Sequence, residues 1–83
     1  MASKVKCEML DEDSEPVATI ASAGRGVEVA SKASKWKDAA AKAANECRTR
    51  LKDELGRTPT GDEIVGGLVK AEPAKFRMVA PEE

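Results

Sequence analysis

ASKWKDAAAKAANECRTRL, Ala33 to Leu51, is the stretch on which the fold depends. Upstream of it, apolar side chains recur at every second position. Within it the interval lengthens to about 3.6, and Ala33, Trp36, Ala40, Ala43, Ala44, Cys47 and Leu51 fall on one stripe. The intervening lysines, arginines and acids fall elsewhere, so the pattern predicts an amphipathic helix over 34–55. Ser31 and Ser34 are both suited to cap its start, because a short hydroxyl side chain can accept from a free N–H of the first turn. Gly56, placed after the last apolar turn and followed by Arg57, ends it. Val29 also lies on the stripe, so the residues before Ser31 read either as a strand or as the opening turn of the helix.

Working outward, TPTGDE starts a second helix over 60–71, with Thr60 as N-cap and Glu63 three residues on to complete a capping box. Ile64, Leu68 and Ala71 form its apolar stripe. Gly66 and Gly67 lie inside it at about 1 kcal/mol each relative to alanine, so the pair either weakens the helix or admits another backbone very closely. Beyond Glu72 and Pro73, Phe76 and Met78 alternate with Lys75 and Arg77, which predicts a short strand over 75–79, and APEE reads as a frayed tail. On the other side, KVKCEML places Val5, Cys7 and Met9 opposite Lys4, Lys6 and Glu8, the alternation of a half-buried strand. DEDSEP at 11–16 is a turn, VATIAS at 17–22 a second strand, and the glycines of AGRG at 23–26 allow a hairpin into VEV. The expected fold class is α+β: a small antiparallel meander over 4–30, about three strands plus the C-terminal one, packed on one long and one short helix. An all-helical core is the alternative.

The 83 residues imply a single domain, 1–83, and a chain this short buries only about 60–65% of the surface that it exposes unfolded. Trp36 and Phe76 are the only aromatics, so the interior is built mainly from Ala, Val, Leu and Ile, which favours close backbone approach. Net charge is −1 overall but uneven: residues 31–58 carry eight basic and four acidic groups, while both flanking segments are acidic. Nucleic-acid binders usually carry a basic excess over the whole domain, and here the excess is local.

Catalysis has little to build on. There is no His and no Tyr, which removes the usual general bases near neutral pH. No phosphate-loop pattern occurs, and AGRG is too short to be one. Cys7 and Cys47 are too few and too far apart for a zinc site, and both lie on apolar faces, where an unpaired thiol acts as a small hydrophobe. No enzyme activity, metal or cofactor is therefore expected. No apolar run reaches the ~20 residues of a membrane span and no signal-peptide core is present, which predicts a soluble, cytoplasmic protein without membrane association.

Glu54, Leu55, Gly56, Arg57, Pro59, Thr60, Glu63 and Ile64 together resemble the helix linker in the middle, promoter-binding domain of bacterial sigma factors. That likeness covers about a fifth of the chain. Gly56 stopping one helix and Thr60 with Glu63 starting the next account for it mechanically, so no DNA-contacting residue is carried across. The run of strands, a glycine turn and SKASKWKDAAAKAA more faintly resembles the second half of a double-stranded-RNA-binding domain, without its leading helix and with lysines out of register.

Helical geometry points to a surface. At 100° per residue, Lys37, Arg48 and Lys52 share one flank of the long helix with Ala41 and Asn45 and no acid. The other flank interleaves Lys35 and Lys42 with Glu46 and Asp53, and Lys42 is spaced for an i,i+4 pair with Glu46. The reading that follows is a non-catalytic interaction module: an adaptor, inhibitor or regulator of the kind that phages and mobile elements encode, binding a larger protein. Nucleic-acid binding through Lys37, Arg48 and Lys52 is the alternative, and a self-assembling homo-oligomer a third. Whether the acidic loop Asp11 to Glu15 is recognised is open at this level.

Overall fold

The computed structural model describes residues 5–79; residues 1–4, with Lys4 of the expected first strand, and the expected tail at 80–83 lie outside it. The architecture is α+β, with β1 (Lys6–Leu10), β2 (Pro16–Ala23), β3 (Gly26–Ser31), α1 (Ser34–Leu55), α2 (Gly61–Ala71) and β4 (Phe76–Val79) in chain order. The strands form one antiparallel sheet of order β3-β2-β1-β4. The two helices thus carry the chain from one edge of the sheet to the other.

Strand alternation decides which face they cover. Cys7, Met9, Ala18, Ile20 and Phe76 point to one side, and there they form the core with Ala40, Ala44 and Cys47 of α1 and Ile64, Val65 and Leu68 of α2. On the other side, Glu8 and Arg77 are register partners on β1 and β4, and their side chains pair at 2.8 Å. No helix among the described residues lies against that side.

Each connection follows from local chemistry. Between β1 and β2, Asp11 Oδ1 accepts from the Asp13 and Glu15 N–H groups at 2.9 and 3.0 Å, and Ser14 adopts a left-handed φ of 63°. Between β2 and β3 the loop is Gly24-Arg25, with positive φ (63°) at the glycine only, as a type II′ hairpin requires. The third strand therefore forms, and Val29 packs from the sheet and not from a helical turn.

α1 covers 34–55 as the periodicity predicts, but neither serine caps it. Its N-cap is Ala33, without a side-chain bond; Ser34 is already helical, and the Ser31 hydroxyl donates to the Ala33 carbonyl at 2.7 Å. Ala33 is exposed, because a capping residue precedes the turn that the stripe buries. At the other end Gly56 takes φ 73° and donates to the Lys52 carbonyl.

α2 begins with the full capping box: Glu63 N–H donates to Thr60 Oγ1 at 3.3 Å, and Thr60 N–H to Glu63 Oε1 at 2.8 Å. Arg57 adds a two-pronged contact to the same carboxylate at 2.9 and 2.8 Å. These bonds hold the Glu63 carboxyl at about 2, Arg57 contributing most and the Thr60 N–H next. A depressed folded pKa adds stability above the ordinary carboxylate value and loses it as pH falls towards the folded one. The melting-temperature advantage of the wild type over Glu63→Gln should therefore be constant from neutrality down to about pH 5 and shrink as pH falls towards 2. A gap that stays constant across that range would contradict the linkage.

The buried stripe of α2 differs from the expected one. Val65, at 0% exposure, joins Ile64 and Leu68, whereas Ala71 is exposed. α2 packs against both α1 and the sheet, so its apolar arc is wider than a single stripe, and cover ends before the last helical residue. The glycines also divide their roles. Gly67 faces Cys47 and Leu51 of α1, while Gly66 has nothing near it, so the close approach runs through Gly67 alone. A closer approach, not foreseen from sequence, occurs at Gly61. Its N–H donates to the Gly24 carbonyl at 3.0 Å, and its Cα lies against Ala23 and Gly26 of the hairpin. β4 spans Phe76–Val79; Phe76 is buried, but Met78, on the same face of this edge strand, stays 45% exposed.

Candidate functional site

Lys37, Arg48 and Lys52 are all exposed on α1. Arg48 and Lys52 stand one turn apart, about 6 Å along the axis, whereas Lys37 lies about 16 Å further towards the N-terminus. The structure thus brings two of the three together. Half-buried Ala41 and exposed Asn45 fill the interval, and Leu55, 43% exposed, continues the flank beyond Lys52. Among the described residues no carboxylate reaches any of these cations.

The opposite flank is arranged differently from the expected self-compensating one. Lys42 and Glu46 do not pair, since an exposed i,i+4 contact gains too little to fix two long side chains. Lys35 instead places its ammonium 5.1 Å from the centroid of the Trp36 ring. Arg50, unassigned by the sequence pattern, turns its guanidinium towards Cys47 Sγ at 3.7 Å. A concavity along Asp38, Lys42, Asn45 and Thr49 has α1 as its only wall, so it is a gap between side chains of one helix and encloses nothing.

A better-formed depression lies between α1, the end of β1 and the start of β4. Met9, Leu10, Trp36 and Phe76 line it, Lys42, Glu46, Glu72 and Lys75 surround it, and its volume is about 310 Å³. A second, of about 580 Å³, shares Leu10, Trp36 and Lys75 and extends over Asp11, Glu12 and Asp13. Trp36 is the hinge of this trough: it packs on the core yet is only half-buried. The sequence placed Trp36 correctly on the inner stripe. It gave no sign that this end of the stripe stays partly uncovered, because that depends on where β1 and β4 end.

The remaining reactive groups are the thiols. Cys7 and Cys47 are free and buried. Burial, and secondarily the neighbouring Cys47, push the Cys7 thiol up from 9.0 to about 11. Burial also raises Cys47, against the opposing pull of Arg50. Both are therefore protonated at neutral pH and buried away from solvent, which suits packing and not nucleophilic attack. Among the described residues there is no group of three or more Cys, Asp or Glu placed to hold a metal ion. No helix among them is long and apolar enough to cross a membrane. Compared with protein-family models, with curated proteins and with solved structures, the chain matches none of them.

Proposed function

We propose that this chain is a non-catalytic interaction module, an adaptor, inhibitor or regulator that binds a larger protein in the cytoplasm. The observation that carries the reading is the trough at Trp36: a half-buried indole among apolar neighbours, with charged groups around it, is the composition of an interface anchor. Two unpaired buried thiols fit a reducing compartment. Retention of one discrete partner from a lysate, identified by mass spectrometry, tests the reading. Because Trp36 is the sole tryptophan and tyrosine is absent, addition of that partner in purified form should shift the intrinsic emission. Failure to retain a partner, or a partner that leaves Trp36 unchanged, would count against it.

A second reading has its own support in the unpaired Arg48 and Lys52, whose spacing suits neighbouring phosphates. It expects a labelled duplex or single strand to be retarded in a salt-sensitive manner. Arg48→Glu with Lys52→Glu should then weaken binding by tenfold or more and reduce the salt slope by about 2. Absence of retardation at low salt would remove this reading.

A further inference from the structure

We propose that the trough floored by Leu10, Trp36 and Phe76 is the docking site for a basic segment of a partner protein, one carrying a large apolar side chain beside its lysines or arginines. The inference rests on the interaction-module reading and specifies the partner's chemistry.

The trough has two unlike ends. Along α1, the apolar lining can take a leucine-sized or aromatic side chain in a space of about 310 Å³. Over the 11–14 loop the charge is one-sided, with Asp11, Glu12 and Asp13 facing only Lys75, and Lys75 is already drawn to Glu72 at 3.7 Å. Glu12 and Asp13 are exposed, and no cation among the described residues pairs with them. Asp11 fixes the loop backbone that carries them through its two accepted N–H bonds. Acids concentrated beside an apolar floor attract a cationic segment and repel an acidic one.

The indole supplies the third contact. Lys35, an exposed side chain, stands over the Trp36 ring at 5.1 Å, so the ring is already serving as a cation seat. Lys35 lines neither depression, so a partner's arginine or lysine would stack on the part of the ring that lines the trough.

A displayed library of random peptides, with the full chain as bait, provides the probe. Enriched sequences should set Lys or Arg beside Leu, Ile, Phe or Met, and a synthetic copy should shift Trp36 emission saturably. Glu12→Lys combined with Asp13→Lys, both on an exposed turn, should lower its affinity about tenfold. No enrichment, enrichment of acidic or purely apolar peptides, or unchanged affinity in the double variant would overturn the proposal. So would an emission shift that follows protein concentration alone, since a second copy would then fill the trough. A lysate partner that shifts Trp36 emission yet binds the wild type and the double variant equally would overturn the basic-segment proposal while leaving the module reading intact.

Discussion

Replacement of Phe76 by alanine is expected to cost about 3–5 kcal/mol, the largest loss available from any one side chain here. Phe76 is 1% exposed and the bulkiest of the fully buried residues. It lies opposite Met9 in the sheet, and its N–H donates to the Glu72 carbonyl at 3.0 Å, so it joins the end of α2 to the edge of β1. Half of the other buried core side chains are alanines or cysteines, which have little reach with which to refill the space. A domain of this size has roughly 4–12 kcal/mol in all, so the variant should lose from about a quarter of its stability to all of it. Urea denaturation followed by circular dichroism measures the loss, with Phe76→Leu as the volume-conserving comparison. A loss below about 1 kcal/mol for the alanine variant would show that Phe76 does not anchor the core.

The second large effect is expected at Gly61. A methyl group there would drive into the Gly26 carbonyl and stand 3.0 Å from both the Ala23 nitrogen and the Ser22 Cβ. Two of these three neighbours are backbone atoms of a paired hairpin, which cannot swing aside as a side chain does. Either α2 lifts from the sheet, losing the Gly61 to Gly24 hydrogen bond, or the hairpin distorts. Gly61→Ala should therefore destabilise by about 2–3 kcal/mol, a fall in melting temperature of about 8–24 °C for a domain of this size. Gly66→Ala is the internal control. Nothing lies within 4 Å of a methyl group at that position, so only the helix preference remains, and the variant should gain about 1 kcal/mol. Equal melting temperatures for the two variants would refute the assigned contacts.

These glycines mark where the sequence was legible and where it was not. Helix α1 could be read because alanines and one tryptophan repeat at helical spacing, and both of its bounds agree with the pattern. The capping box could be read because Thr60 and Glu63 are separated by the interval that the geometry requires. Gly61 could not, because a glycine beside an N-cap is unremarkable until a hairpin distant in sequence arrives against it. Val65 was missed for a related reason: a one-stripe pattern describes a helix with one neighbour, and α2 has two. Of the surface residues, Arg48 and Lys52 fall together as their spacing demands, but the trough at Trp36 is made by the ends of β1, β4 and α1 jointly. No periodicity within one element encodes such a meeting.

The position of β1 has a consequence for biosynthesis. It is an interior strand, hydrogen-bonded to β2 on one side and to β4 on the other, and β4 is the last element of the described chain. During translation the first three strands can pair among themselves soon after they leave the ribosome, but the second flank of β1 stays bare until residues 76–79 emerge. Completion of the sheet thus waits on β4, which follows both helices, and until then the nascent chain presents an open edge that another strand can capture.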